Sequence, residues 1–239
     1  MWHGAAIVMG VMMATRGKKD AALPGACRVV VLGGAKGGCG RSTISRNLLV
    51  SAGQAGIRAI GVDLDQQRTF RKWADRRITA REKLSQIVAA EVIASQVDQW
   101  PTILRDIALH QLAIVDTAPG IEHDMADMIA LCRGAALVLV PTSPSTDDLE
   151  SVVPWFRSLS DGGANTTFVL NKANRRTRSY ASARSALLRY GPVAPVEIPA
   201  LEDIAAPFAS GLSVVDYEKA RGADVMGDVW AFVRREVGL

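Results

Sequence analysis

The stretch Lys36-Gly37-Gly38-Cys39-Gly40-Arg41-Ser42-Thr43 lies shortly after the apolar run Val29-Val30-Val31-Leu32. Its glycines let the backbone turn tightly with the N–H groups facing inward, and a helix that begins there adds its positive N-terminal end. The pattern predicts a phosphate-binding loop between a buried strand and a helix. Taken alone, the octapeptide also fits a glycine-rich strand-to-helix turn that binds no ligand.

The loop departs from the standard Walker A consensus at two positions. Ala35 stands where the consensus has its first glycine, and Arg41 stands where it has lysine. Arginine keeps the positive charge, but its planar guanidinium forks its hydrogen bonds, whereas a lysine ammonium is a compact point charge. We therefore expect nucleotide binding to persist, and the efficiency of hydrolysis stays open.

Two further apolar runs end in carboxylates. Residues 59–62 lead into Asp63 and Asp65, and residues 112–115 lead into Asp116. Open α/β sheets bind ligands at the carboxyl ends of their strands, and carboxylates at such an end suit the Mg²⁺ ion of a phosphoryl-transfer site. The alternative for the first pair is a helix N-cap, because Asp at a strand-to-helix junction commonly accepts backbone N–H bonds.

The three segments resemble motifs of the ParA/MinD family of ATPases. The loop is similar to the family's deviant Walker A motif, Lys-Gly-Gly-x-Gly-Lys-Ser/Thr, with Lys36 as the signature lysine and Arg41 in place of the second lysine. Residues 63–67 resemble its Asp-x-Asp-Pro-Gln segment, and residues 116–119 resemble its Asp-Thr-Pro-Pro segment. The resemblance covers most of residues 28–237 and is closest to the short ParA type, which lacks an N-terminal helix-turn-helix domain.

The resemblance implies an ATPase with ATP and Mg²⁺ as cofactors. Lys36 would reach the partner's ATP across a dimer interface, Arg41 would hold the β and γ phosphates, and Asp65 would position the attacking water. The predicted catalytic residues are Lys36, Asp65 and Arg41. The predicted metal ligands are Ser42, Asp63 and Asp116. The predicted nucleotide contacts are Gly37, Gly38, Cys39, Gly40, Arg41, Ser42, Thr43, Asn171 and Pro199.

Two of these contacts lie far from the loop in sequence. Asn171 ends the run Phe168-Val169-Leu170 at the position where relatives place an asparagine that reads the adenine edge. Pro199 begins the segment that covers the base in relatives. A plain helix cap is the alternative for Asn171.

Apolar strand-like runs alternate with helical segments, which predicts an α/β fold. We expect a mostly parallel twisted sheet of about seven strands with helices on both faces, of the P-loop NTPase type. The predicted strands lie near 28–33, 58–63, 87–93, 112–116, 136–140, 166–171 and 194–198, and a helix over 224–236 closes the chain. Residues 27–239 form one ATPase domain in this interpretation, and residues 1–26 are an extension expected to be disordered.

Composition excludes several classes of protein. The 239 residues are 49% hydrophobic and 22% charged, which favours a cytoplasmic globular enzyme, and no stretch approaches the ~20 apolar residues that span a bilayer. Cys27, Cys39 and Cys132 are too few and too scattered for a disulfide framework or a zinc site. Nor do Cys39 and Cys132 have the spacing of an iron–sulfur carrier of the nitrogenase type.

The net charge of +4 is unevenly distributed. Residues 172–190 contain no acidic side chain, and their cations are Lys172, Arg175, Arg176, Arg178, Arg184 and Arg189. Such a segment predicts salt-dependent binding of DNA without sequence preference. A second basic group over 68–83 is diluted by Asp75 and Glu82, and it also fits a solvated helix face with Trp73 turned inward.

Together these features predict an ATP-dependent, dimerising switch ATPase in plasmid or chromosome partition. Its ATP-bound homodimer would bind DNA non-specifically and associate with the bacterial nucleoid, and a ParB-like partner would stimulate hydrolysis; a membrane partner is not expected. Three alternatives stay open: a ParA-like factor of conjugative DNA transfer, a MinD-like membrane-associated positioning ATPase that uses apolar residues near the C-terminus, and a non-hydrolysing nucleotide-dependent scaffold because of Arg41.

Overall fold

A computed structural model describes residues 27–120 and 125–239, so the predicted N-terminal extension lies outside the described residues. The strands are β1 Arg28–Leu32, β2 Ala59–Asp63, β3 Val92–Ala94, β4 Leu112–Asp116, β5 Leu137–Thr142 and β6 Thr166–Leu170. The helices are α1 Arg41–Gln54, α2 Thr69–Lys83, α3 Trp100–Asp106, α4 Met125–Gly134, α5 Thr146–Asp161, α6 Arg178–Leu187, α7 Glu202–Ala205 and α8 Arg221–Val237.

All strand pairs of the sheet are parallel, and the strand order is β3-β2-β4-β1-β5-β6. The three strands that carry the motifs, β2, β4 and β1, are therefore neighbours in its centre. Their register pairs Asp116 with Leu32 on one side and with Asp63 on the other. Because parallel strands end at the same edge, the glycine-rich loop and both carboxylates meet there.

Strand side chains alternate between two apolar clusters, one on each face of the sheet. Val29 and Val31 pack with residues of α3, α4, α5 and α6, whereas Val30 and Leu32 pack with residues of α1, α2 and α8. The central strands are buried on both sides, which explains their continuous apolar sequence. The expected α/β fold with helices on both faces is confirmed.

The expected strand count was wrong, because the described residues form six strands. Residues 194–198 run beside β6, and the N–H groups of Ala194 and Ile198 donate to its carbonyls, but the pairing amounts to isolated bridges at Val193 and Pro199 rather than a strand. Pro195 lies between these two bonds and has no N–H to donate, so the segment cannot form a continuous ladder. The predicted strand over 87–93 is likewise reduced to the short edge strand β3.

Candidate functional site

An open cleft of 1020 Å³ lies at the carboxyl edge of the central strands, large enough for a nucleotide. Most of the predicted nucleotide contacts line it. They are Gly37, Gly38, Gly40, Arg41, Ser42, Thr43, Asn171 and Pro199. Asp65 also borders the cleft, and so does Lys172, the first cation of the basic segment.

The loop depends on glycine at two positions. Gly38 has φ 74° and Gly40 has φ 102°, both in the left-handed region that disfavours side chains. A Cβ atom on Gly40 would also lie 2.1 Å from Nδ2 of Asn171. Helix α1 begins immediately after Gly40, so its N-terminal N–H groups point at the loop.

Asp116 ends β4, two residues before the segment that lines the cleft, and its carboxylate is fully buried. Neither of its oxygens has a hydrogen-bond partner among the described residues. The pKa of Asp116 is raised to about 7, chiefly by burial and also by the nearby Asp63 carboxylate, while the neighbouring Ser42 hydroxyl and the Arg41 charge oppose the rise. A buried, unpartnered carboxylate needs a compensating charge, and a Mg²⁺ ion held together with Ser42 would supply it.

Asp63 is already engaged by the protein. Its Oδ1 accepts a hydrogen bond from the Asp65 N–H at 3.0 Å, and its Oδ2 accepts one from the Arg71 N–H at 2.8 Å. Burial raises the pKa of Asp63, and these two N–H groups lower it. Because Arg71 lies in the first turn of α2, these contacts are those of the helix-capping alternative. Binding of a metal by Asp63 stays a prediction.

Asp65 is half-buried at the rim of the cleft. Its Oδ1 accepts a hydrogen bond from the Gln67 N–H at 2.9 Å. Arg68 fixes the turn that carries Asp65, because its Nη1 donates to the carbonyls of Asp63 and Ser95. The predicted water-positioning carboxylate therefore lies on a braced turn, one held by these hydrogen bonds, and it borders the cleft.

Arg41 is almost entirely buried behind the loop, with 6% of its surface exposed. Nε donates to the Thr117 carbonyl at 2.9 Å, and Nη1 donates to the Lys36 carbonyl at 2.7 Å and to the Gly34 carbonyl at 3.3 Å. Nη1 also lies 3.2 Å from Sγ of Cys39. The sequence motif placed this cation beside the phosphates, but it gave no sign of these loop contacts.

Lys36 does not line the cleft and instead contacts α5. Its Nζ donates to the Asp147 carbonyl at 2.7 Å and lies 3.7 Å from Oδ1 of Asp148, both at the start of α5. The side chain is 43% exposed, so its amine is accessible to a second molecule. Sequence reasoning missed Asp148, because an Asp in the first turn of a helix is commonplace and its distance from Lys36 along the chain hides the contact.

Asn171 joins the end of β6 to the loop. Its Nδ2 donates to the Cys39 carbonyl at 2.6 Å, and its Oδ1 accepts from the Lys172 N–H at 2.9 Å. The backbone carbonyl of Cys39 is therefore the group that Asn171 binds. The Cys39 thiol is half-buried, and burial raises its pKa. Asn171 and Pro199 both line the cleft, and their contact with a base stays a prediction.

The predicted DNA-binding cations, called the basic strip below, are exposed with one exception. Lys172, Arg175, Arg176, Arg178 and Arg189 are exposed, and Arg184 is half-buried, with its Nη1 3.5 Å from the Ala194 carbonyl. The Arg175 guanidinium forms an ion pair with Glu197, a partner that the sequence did not reveal. The strip therefore has one side chain already committed to a carboxylate.

The second basic group, over 68–83, is largely tied to the protein. Trp73 is fully buried, as expected, and its Nε1 donates to the Leu212 carbonyl at 2.9 Å. Arg77 is also buried and pairs with Asp216 at 2.7 Å. Arg71 pairs with Asp75 at 2.8 Å on the surface. These bonds leave the group a poor candidate for a phosphate-binding surface.

Comparison with known proteins agrees with the sequence motifs and with the fold. The family profile described as ATPase MipZ matches residues 28–131, which contain the loop and all three motif carboxylates. No curated protein sequence matches the chain.

Several solved structures are similar in fold. The septum site-determining protein MinD of Pyrococcus horikoshii, complexed with Mg-ADP, has a TM-score of 0.70 at 17% identity, over 89% of this chain and 98% of that one. A ParA family ATPase from Chlorobium tepidum has a TM-score of 0.67 at 18% identity, over 87% and 99%. A putative plasmid partition protein from Borrelia burgdorferi, bound to AMPPNP, has a TM-score of 0.66 at 12% identity, over 88% and 99%. At these identities the likeness concerns the fold.

Proposed function

We propose, on the premise that the chain resembles the ParA/MinD-type ATPases in both sequence and fold, that it is an ATP-dependent dimerising switch ATPase that acts in DNA partition. The observation that carries the proposal is the Asp116 carboxylate, buried without a partner directly behind a glycine loop that opens onto a nucleotide-sized cleft. A structural turn has no need of such a carboxylate. A site for Mg²⁺ and a triphosphate does.

The residues present fit this cofactor pair. Ser42 and Asp116 would hold Mg²⁺, and the loop N–H groups from Gly37 to Thr43 would hold the phosphates. When bound, ATP would supply the phosphoryl group, and Mg²⁺ would neutralise the negative charge of the phosphates. Asp65, on its braced turn, would orient a water molecule and accept its proton.

The dimerisation part of the proposal rests on Lys36. Its amine is exposed, and among residues 27–120 and 125–239 its partners are at the exposed start of α5, so an anion presented by a second protomer can compete for it. Charge neutralisation across such a seam makes the association depend on the nucleotide. The partner that triggers hydrolysis would then act on the dimer.

The DNA-binding part rests on the exposed cations of residues 172–190. Lys172 belongs to this strip and also lines the cleft, which supports a link between nucleotide and DNA binding. A nucleotide bound in the cleft would therefore affect the strip through Lys172. Contacts of this kind are sequence-independent and salt-dependent.

The membrane-associated alternative is disfavoured by the packing of α8. Its apolar residues are buried against the sheet rather than presented to the outside; they are Met226, Val229, Trp230, Phe232, Val233 and Val237. Within the described ranges, no helix is long and apolar enough to cross a membrane. A scaffold that does not hydrolyse ATP is separated from the main proposal by the phosphate-release experiment below, and a factor of DNA transfer stays an alternative.

Nucleotide binding tests the proposal directly. Titration of the full chain with a fluorescent ATP analogue should show Mg²⁺-dependent binding, and Asp116→Ala should remove the Mg²⁺ dependence while a control, Asp75→Ala, leaves it intact. Phosphate release with DNA present then decides between enzyme and scaffold, because Asp65→Ala should abolish it without loss of binding. Mg²⁺-independent binding in the unaltered protein would contradict the assignment of Asp116.

A further inference from the structure

The buried Arg41 side chain joins three parts of the site. It starts from the first residue of α1, reaches the Thr117 carbonyl after β4 through Nε, and reaches the Lys36 and Gly34 carbonyls through Nη1. The Gly34 carbonyl also accepts the Gly120 N–H at 3.2 Å. The loop and the segment after β4 are therefore held together by one guanidinium and one backbone bond.

Part of the hydrogen-bonding capacity of the Arg41 guanidinium is not used by the described residues. A guanidinium carries five N–H donors in a fixed fork. Nε and Nη1 are committed to the carbonyls, whereas Nη2 makes no hydrogen bond to any residue that the structure describes. Because Arg41 lines the cleft, the two N–H groups of Nη2 are the ones left for a phosphate.

A lysine at this position could not divide its contacts in this way. It has a single terminal nitrogen, so an ammonium that moves to a phosphate gives up the carbonyls that it held. In an empty site it would be mobile or bound to the loop, and nucleotide binding would have to reorder it. The arginine avoids that exchange because its three nitrogens occupy different places at once.

We propose that Arg41 is a positioning residue that holds the phosphate loop and the segment after β4 in place before nucleotide binds, and that it contacts phosphate through Nη2 alone. The inference deepens the proposed function, since it concerns the same cleft, but its first half applies to the protein without nucleotide. Order that exists before binding lowers the conformational cost of binding.

Hydrogen–deuterium exchange of the nucleotide-free full chain tests the first half. Peptides over residues 33–40 and 117–120 should exchange about tenfold faster in Arg41→Lys than in the unaltered protein. The matched control is Arg58→Lys, the same change at an exposed arginine outside the site, which should leave both peptides unchanged. Peptides of α8 and β6 report whether the domain is still folded.

Two results would overturn this half. One is loop exchange in Arg41→Lys within about twofold of the unaltered protein, with α8 still protected. The other is general loss of protection in both Arg41→Lys and Arg41→Met, since Arg41 would then support the whole domain rather than the loop.

Calorimetric binding of Mg-ADP tests what Arg41 contributes to the bound state, because Arg41→Lys removes both the bonds that order the loop and the Nη2 group proposed to contact phosphate. We expect Arg41→Lys to bind about tenfold more weakly, with a less favourable entropy, because the loop must now be ordered during binding. Equal or tighter binding would show that the order held by Arg41 does nothing for the nucleotide. If the unaltered protein binds no nucleotide, the proposed function fails, while the exchange experiment still decides whether Arg41 holds the loop.

Discussion

At the scale of single residues, hydrogen bonding decides which of two equally buried carboxylates is free for chemistry. Asp63 and Asp116 are both fully buried and paired in register across neighbouring strands, yet they differ in their hydrogen bonds. Asp63 accepts two backbone N–H bonds, whereas Asp116 accepts none from the described residues. The local backbone around each one makes that difference, and it marks Asp116 as the group with unmet need for a cation.

The raised pKa of Asp116 leads to a prediction about stability without Mg²⁺. Its folded-state pKa is about 7, above the ordinary value of 3.8, so the folded protein binds more protons than the unfolded chain between these values. Stability is therefore lost as the pH rises through this window. Relative to Asp116→Asn, which does not titrate, the unaltered protein should lose about 2 kcal/mol of unfolding free energy between pH 5 and pH 8.

Urea denaturation in EDTA at both pH values measures this difference. Addition of Mg²⁺ at pH 8 should stabilise the unaltered protein and leave Asp116→Asn unchanged. Parallel pH profiles for the two proteins would show that the carboxyl group stays solvated in the folded state.

At the scale of elements, the buried ion pair between Arg77 and Asp216 fastens α2 to the turn that precedes α8. Both side chains are nearly inaccessible, and Asp216 also accepts the Ser213 N–H at 2.8 Å. Asp216→Ala should therefore lower the unfolding free energy by about 3 kcal/mol, because it leaves a buried guanidinium unpaired. The comparison is Asp75→Ala, which breaks the exposed pair with Arg71 and should change stability by less than about 1 kcal/mol.

Urea unfolding followed by tryptophan fluorescence provides both values, since Trp73 lies beside this pair. Equal effects of the two substitutions would mean that the Arg77 pair is effectively solvated. The pair also explains why the sequence left the role of the second basic group open, because the carboxylate that pairs with Arg77 comes from a distant part of the chain.

The basic strip is a second element whose role can be isolated. Arg176→Glu with Arg178→Glu reverses two exposed cations and leaves the Arg175 pair with Glu197 untouched. This double variant should lose at least about tenfold in affinity for a DNA duplex of arbitrary sequence, because each phosphate contact contributes counterion release. Its nucleotide affinity should stay the same.

The control for the strip is Arg58→Glu, which reverses one exposed arginine elsewhere and so changes half as much charge as the double variant. Fluorescence anisotropy at two salt concentrations gives both the affinity and its salt dependence. An equal loss of binding free energy per substitution in the control and in the double variant would mean that DNA senses net charge rather than this surface.

At the scale of the whole molecule, the predicted switch is a change of oligomeric state. Light scattering with a slowly hydrolysed ATP analogue and Mg²⁺ should show a dimer for the unaltered protein and a monomer for Lys36→Ala, which keeps the cleft but removes the amine proposed to reach the partner. A nucleotide-dependent dimer of Lys36→Ala would contradict this role, and the amine would then belong to its contacts with α5.

The parts of the site that sequence predicted are those built from local backbone. A glycine loop after a buried strand, and carboxylates at strand ends, are read directly because strand direction and glycine conformations follow from neighbouring residues. The six-strand count was missed near β6, since prolines there remove ladder donors that an apolar pattern suggests.

The remaining features come from contacts between distant parts of the chain. The grip of Arg41 on Thr117, the pairing of Arg175 with Glu197 and the burial of Arg77 against Asp216 each join segments that only the packed sheet and helices bring together. Charged side chains carry no periodic sequence signal for their partners, whereas the desolvation that accompanies packing makes those partners necessary. The sequence by itself therefore determines the motif residues and their order along the chain. Only the tertiary structure determines the hydrogen bonds and ion pairs that hold them, because these form between distant segments when packing excludes water.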